Sequence, residues 1–174
     1  MTIFNLPMVI PARKAWNHGR IIGQKRPLLP KHVWAIRVRL ELAGAIRELA
    51  LFNLAIDSKF EITGGTRKAF KDWISRPLMT GHEYLWPGRF RDRQHISTRQ
   101  YARLVKNWVQ SIGLEPSAYG THSLRRTKVA EIYRKTGNLR AVQLLLGHTK
   151  MDSTVRYLGV ELEDALSISE SVEI

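Results

Sequence analysis

Thr121-His122-Ser123-Leu124-Arg125-Arg126-Thr127 is the stretch on which the reading of this chain turns. It follows a loop of residues 116–120, and Thr121 is a capping residue type. The pattern therefore predicts a helix over residues 122–136, stopped by Gly137. In such a helix His122 and Arg125 stand three residues apart and share a face. Two more stretches follow in order: Leu144-Leu145-Leu146-Gly147-His148, then Thr154-Val155-Arg156-Tyr157. Asn138 can cap a helix over 139–146 that Gly147 closes, and Asp152 or Ser153 can start one more turn or helix containing Tyr157.

Upstream, Tyr101, Leu104, Val105, Trp108 and Val109 recur at helical spacing and predict a helix over 98–112, with Gly113 as its stop. Residues 75–97 read as loop, broken by Pro77, Gly81, Pro87 and Gly88, with Tyr84-Leu85-Trp86 as a short buried strand. Phe60-Glu61-Ile62-Thr63 reads as a second short strand. Gly64-Gly65 makes a turn after it, and Thr66 caps a helix reaching Ile74. Val33, Ile36, Leu40, Ala43, Ile46, Leu49 and Ala50 predict one helix over 31–56, weakened slightly by Gly44. Residues 1–30 are a basic arm punctuated by Pro7, Pro11, Pro27 and Pro30, with a short helical piece around 12–18. The expected fold is mainly α, an α+β chain with minimal strand content. Four or five helices form a single domain over 31–174, whose segment 160–174 is acidic.

Charge narrows the partner. The 174 residues carry 28 Lys and Arg against 15 Asp and Glu, a net charge of +13. The first 40 residues hold eight basic and no acidic side chains, whereas residues 157–174 hold five acidic and no basic ones. A basic body with an acidic tail suits a polyanion, because each phosphate it neutralises releases counterions. The chain has no Cys, which excludes disulfides, a cysteine nucleophile and zinc-finger chemistry. No apolar run is long enough to span a bilayer and no signal-peptide cleavage pattern follows the N-terminus, so an intracellular, cytoplasmic protein without membrane contact is expected. The His residues are too dispersed to suggest a metal cage.

The linked set of His122-x-x-Arg125, Leu146-Gly147-His148 and Tyr157, nine residues beyond that His, resembles the catalytic signature of the tyrosine recombinase (phage integrase) family. The resemblance covers residues 31–174, the catalytic domain. It implies metal-free and cofactor-free cutting and rejoining of double-stranded DNA. Tyr157 would be the nucleophile, forming a 3′-phosphotyrosyl link, while His122, Arg125 and His148 act at the phosphate. The residue types fit this chemistry. A guanidinium is always charged and offers paired donors to the oxygens on which charge builds. A Tyr ionises near pH 10 unless His and Arg surround it. Candidate contacts to the DNA backbone are Arg126, Lys128, Arg99, Arg103 and Lys150. Arg89, Arg91 and Arg93 lie in the preceding loop. In the family a C-terminal segment often docks on a neighbouring protomer, which makes residues 160–174 a route to a homo-oligomer on DNA. An N-terminal DNA-clamping domain common in the family is not expected here.

One part of the family pattern is missing. Relatives carry a further Arg in a Gly-x-Arg-x-x-Glu/Asp-Leu-like segment, and a Lys on a following β-hairpin, both before the His-x-x-Arg motif. Here the first long helix runs to Asp57-Ser58-Lys59 and passes directly to Phe60. The expected fold is thus a catalytic-like domain truncated in its β-hairpin region. Lys59, Arg67 and Lys68 are the nearest substitutes, and none sits in the right motif. The implied activity is DNA recombination or integration, impaired by an incomplete set. The alternatives are a noncatalytic double-stranded-DNA-binding remnant and a generic basic helical nucleic-acid binder. Phage, transposon and chromosomal roles are not distinguished.

Overall fold

The computed structural model describes residues 25–58, 60–88 and 94–158. Its α-helices are α1 (Pro30–Leu42), α2 (Ile46–Asp57), α3 (Gly64–Ile74), α4 (Thr98–Ser111), α5 (Thr121–Thr136), α6 (Leu139–Leu146) and α7 (Met151–Leu158). Single 3-10 turns occupy Pro77–Met79 and Pro116–Ala118. No strand occurs among the described residues. The mainly helical class therefore holds, and the two expected strands do not.

The apolar periodicity of α2 explains its central place. Leu51, Phe52 and Ile56 are buried in the main core beside Val33, Ile36 and Leu40 of α1, Val105, Trp108 and Val109 of α4, and Leu124 of α5. Phe52 and Trp108 meet edge to face with ring centroids 5.4 Å apart, a favoured aromatic geometry. The Trp108 Nε1–H donates to Glu48 Oε2 at 2.6 Å, so the indole is buried with its polar atom satisfied. On another side of α2, Ala50 packs with Ala69, Trp73 and Met79. A third cluster joins Val129 of α5, Val142 and Leu146 of α6, and Leu158 of α7, with Phe60 and Tyr157 packed against it.

The structure corrects several boundaries. The helix expected over 31–56 is two helices, because Gly44 adopts φ +60°, a left-handed conformation that ends α1. Thr63, not Thr66, caps α3, its side chain accepting from Thr66 N. Thr121 is the first residue of α5 rather than its cap, and Ser123 Oγ accepts instead from Gly120 N at 3.0 Å. Asn138 caps α6 as expected, and Gly137 and Gly147 end α5 and α6 at φ +62° and +69°. Residues 60–63 are irregular because the chain there folds onto a buried carboxylate rather than onto another strand. Residues 84–86 form bends, although Ile96 N donates to Trp86 O at 2.9 Å.

Just before α1, residues 25–29 form a strap on α5. Leu28 is buried, its N–H donating to Thr127 Oγ1 at 3.0 Å, and Arg26 N donates to Ala118 O at 3.1 Å. The rest of the basic arm and the acidic segment 160–174 lie outside the described residues, as do Lys59, Arg89, Arg91 and Arg93. No described helix is long and apolar enough to cross a membrane.

Candidate functional site

Helical phase divides α5 into two faces. At 100° per residue, Ser123, Leu124, Arg126 and Thr127 fall on one arc and are buried, while His122 and Arg125 fall on the other and are exposed. His122 and Arg125 line one side of a 630 Å³ cavity. Its floor is apolar, built from Leu51, Leu54 and Ala55 of α2 and Ala102 of α4, and Arg99 and Tyr101 complete the rim. Three cationic or imidazole groups thus converge on one concavity, over side chains that offer no competing anion.

Tyr157 and His148 form a second group. Their ring centroids are 5.6 Å apart, edge to face, and His148 Nδ1 lies 3.1 Å from Thr154 Oγ1. Gly147 gives the turn that delivers His148. Buried Gln143 fixes that turn by donating from Nε2 to the carbonyls of His148 and Thr149, at 2.9 and 3.2 Å. Arg125 links the two groups electrostatically. Burial raises the Tyr157 phenol above its ordinary value, and the charges of Arg125 and Arg126 pull it back. Burial likewise pushes Tyr101 up to about 12, against the opposing charge of Arg125. The Oη of Tyr157 is buried without a hydrogen-bond partner.

The candidate DNA-backbone residues separate. Arg99, Arg103 and Lys150 are exposed, Arg99 and Arg103 one helical turn apart on α4. Lys128 is engaged elsewhere: its Nζ lies 2.9 Å from Asp57 Oδ1, donates to Glu61 O at 3.2 Å and sits 5.1 Å above the Phe60 ring. Arg126 is only 4% exposed and donates from Nη1 to Lys25 O. Its placement is therefore internal. Arg67 and Lys68 are exposed on α3 and do not line the cavity.

Asp57 and Tyr101 are site features that motif reading does not single out. Asp57, at the end of α2, is buried and accepts from Thr63 N at 3.0 Å, Thr63 Oγ1 at 2.8 Å and Thr66 Oγ1 at 2.7 Å, besides Lys128. Burial alone would raise its carboxyl. Thr63 N–H, Lys128 and the two hydroxyls outweigh that and hold it below its ordinary value. These bonds close the short passage from α2 to α3. Its signal in the sequence is Asp57 followed at six and nine residues by Thr. Tyr101 reads as an ordinary apolar helix position, and only the packing of α2 beside α4 makes it part of a rim. Among the described residues no group of three or more His, Asp or Glu is placed to hold a metal.

Comparison with known proteins gives a consistent picture. The family described as "Phage integrase family" matches residues 58–163. Three relatives match at similar levels of identity. The "Probable integrase/recombinase YoeC" of Bacillus subtilis (strain 168) is 34% identical over 83 residues, 48% of this chain and 44% of that protein. The tyrosine recombinase XerD of Xanthomonas axonopodis pv. citri (strain 306) is 34% identical over 65 residues, 37% of this chain and 21% of that protein. The tyrosine recombinase XerC of Thermodesulfovibrio yellowstonii is 33% identical over 75 residues, 43% of this chain and 25% of that protein. The chain thus spans less than half the length of each of these relatives. In fold it is similar to the XerA recombinase, with a TM-score of 0.64 at 15% identity, covering 84% of this chain and 63% of that one. It is also similar to the XerH site-specific recombinase bound to palindromic difH substrate in a post-cleavage complex, with a TM-score of 0.58 at 13% identity, covering 85% of this chain and 53% of that one.

Proposed function

Because this chain belongs to the phage integrase family, we propose that it binds double-stranded DNA and keeps the phosphate-holding and nucleophile part of a strand-cleavage site, with cleavage strongly reduced. The observation that carries this reading is the exposed His122–Arg125 pair at the mouth of the cavity, whose Arg125 charge also reaches Tyr157. A phosphate seated there meets a guanidinium and an imidazole aimed at its nonbridging oxygens, where charge develops. Tyr157 Oη attacks phosphorus, the 3′-phosphotyrosyl bond forms, and the bond to the 5′ oxygen breaks. That oxygen leaves as a hydroxyl and needs a proton. Reversal with another strand's 5′-hydroxyl rejoins the backbone.

Two terms are short in this chain. The family's Arg-bearing segment and Lys-bearing hairpin have no counterpart between Asp57 and Thr63, an interval whose one Lys, Lys59, sits in neither motif and whose ends are drawn together by the bonds to Asp57. Losing one preorganised donor costs about 10²–10³-fold in rate. Losing the group that protonates the leaving oxygen costs roughly a further 10²-fold or more. The cleavage left is slow but not zero, since attack and phosphate holding remain.

A second reading, a DNA-binding protein that does not cut, is favoured by one observation: Tyr157 Oη is buried and unpartnered, out of reach of a substrate unless α7 shifts. One assay separates the two. Nicked suicide duplexes carrying candidate sites are incubated with the full chain and resolved on a denaturing gel. A faint covalent protein–DNA band that disappears in Tyr157→Phe is the expected result. Binding without any band supports the second reading, and failure to bind duplex DNA at low salt overturns both.

A further inference from the structure

Among the described residues, two buried side-chain polar atoms have no hydrogen-bond partner, and they belong to side chains in contact: Arg126 Nε and Tyr157 Oη. The Arg126 guanidinium carbon lies 5.8 Å from the centroid of the Tyr157 ring. Buried polar atoms are nearly always paired, and leaving one unpaired is costly. Two at one contact, one a donor and the other an oxygen, call for a physical account.

Arg126 does not sit there loosely. Its Nη1 donates to Lys25 O, on the strap that Arg26 and Leu28 tie to α5 and to the loop before it. At 4% exposure it cannot meet DNA where it stands. The groups around the phenol are Arg125 and Arg126 from α5 and His148 from the turn before α7, while Arg156 on α7 itself is exposed. A neutral phenol oxygen both donates and accepts, and here neither it nor Arg126 Nε has a partner. A phenolate is an acceptor only, and a guanidinium N–H bonded to it is charge-assisted. A donor idle against the neutral form and engaged by the charged form stabilises only the state that attacks.

We propose that Arg126 is a positioning residue for Tyr157, its Nε–H held by the strap at Lys25 as the donor that meets the phenol oxygen when the phenol ionises. This rests on the reading of Tyr157 as nucleophile. The opposing influences agree with it: burial lowers Arg126 and Tyr157 pulls it back, and burial raises Tyr157 while Arg125 and then Arg126 pull it back.

The test needs no DNA, so its failure is distinct from failure of the cleavage reading. The full chain is made with 3,5-difluorotyrosine at position 157, whose phenol ionises near neutral pH, and its ionisation is followed by fluorine NMR. In Arg126→Gln the midpoint rises by about one pH unit, the size of one charge-assisted hydrogen bond. In Arg126→Lys, which keeps the charge, about half of that rise is recovered. An unmoved midpoint in a folded Arg126→Gln protein overturns the proposal, and so does a Lys variant displaced as far as the Gln one. If Arg126→Gln does not fold, the unsubstituted Arg126 Nε–Hε resonance is followed through the same titration. It must move with the phenol's midpoint, and a resonance that stays still overturns the proposal.

Discussion

Asp57 is buried with four donors aimed at it, whereas Tyr157 Oη is buried with none. The two residues make opposite predictions. Removing the hydroxyl in Tyr157→Phe relieves an unsatisfied group, so the variant loses all covalent adduct yet unfolds in urea with a free energy equal to the parent's or higher by about 1 kcal/mol. A drop of that size instead would mean that the hydroxyl is bonded in solution. Asp57→Ala leaves Lys128 and two threonine hydroxyls facing a vacancy in a buried pair, and costs roughly 3 kcal/mol in the same measurement. The sign of the pH dependence follows from the direction of its shift. Asp57 is held below its unfolded value, so its contribution is fully present above about pH 3.9 and is lost as pH falls below that, through the lower folded value. Acid titration of stability is therefore flatter in Asp57→Asn than in the parent below about pH 4.

Elements ended by an explicit residue were legible in the sequence: Asn138 and Gly147 bound α6, Gly137 stops α5, and the apolar spacing of α4 gave its extent within a residue. So was the face of α5 carrying His122 and Arg125, since a three-residue spacing fixes it once the helix is granted. What local pattern did not give depends on partners distant in the chain. Apolar periodicity runs almost unbroken across Gly44, so one helix and two look alike until α1 and α2 pack. Nothing lies within 4 Å of a Cβ built at Gly44, so Gly44→Ala tests the backbone alone, and its φ of +60° predicts a loss of about 1 kcal/mol on chemical denaturation. Residues 60–63 have strand-like composition, but without a neighbouring strand they fold onto Asp57. In sequence the strap belongs to the basic arm of residues 1–30, where Pro27 and Pro30 break any periodicity that would mark Leu28 as core. Leu28 is 1% exposed in the main core, and Leu28→Ala is expected to cost about 3 kcal/mol by the same measurement, far more than an arm residue would. Arg126 is a candidate DNA-backbone contact by residue type, but its helical phase beside Ser123 and Thr127 puts it inside.

For the whole molecule, net charge states a direction and the structure states a face. The excess of +13 is not all available to DNA, because Lys128 is spent on Asp57, and Arg134 and Lys135 pair with Glu131. Exposed Arg99, Arg103 and Lys106 of α4 continue along the helix from the cavity rim where Arg125 stands, and Arg99 itself lines that rim. If these four meet phosphates, the slope of log affinity against log salt is about −3.6, at roughly −0.9 for each phosphate neutralised. Duplex binding then weakens about 150-fold between 50 and 200 mM salt. The double variant Arg99→Ala/Arg103→Ala should bring the slope to about −1.8, and the loss over the same range to roughly 12-fold, with little dependence on sequence because phosphate contacts carry none. Fluorescence anisotropy across a salt series, on two unrelated duplexes, measures both numbers. A slope unchanged by the double variant would move the DNA face away from α4, and would leave Arg125 and His122 to meet phosphate from the other side of the cavity.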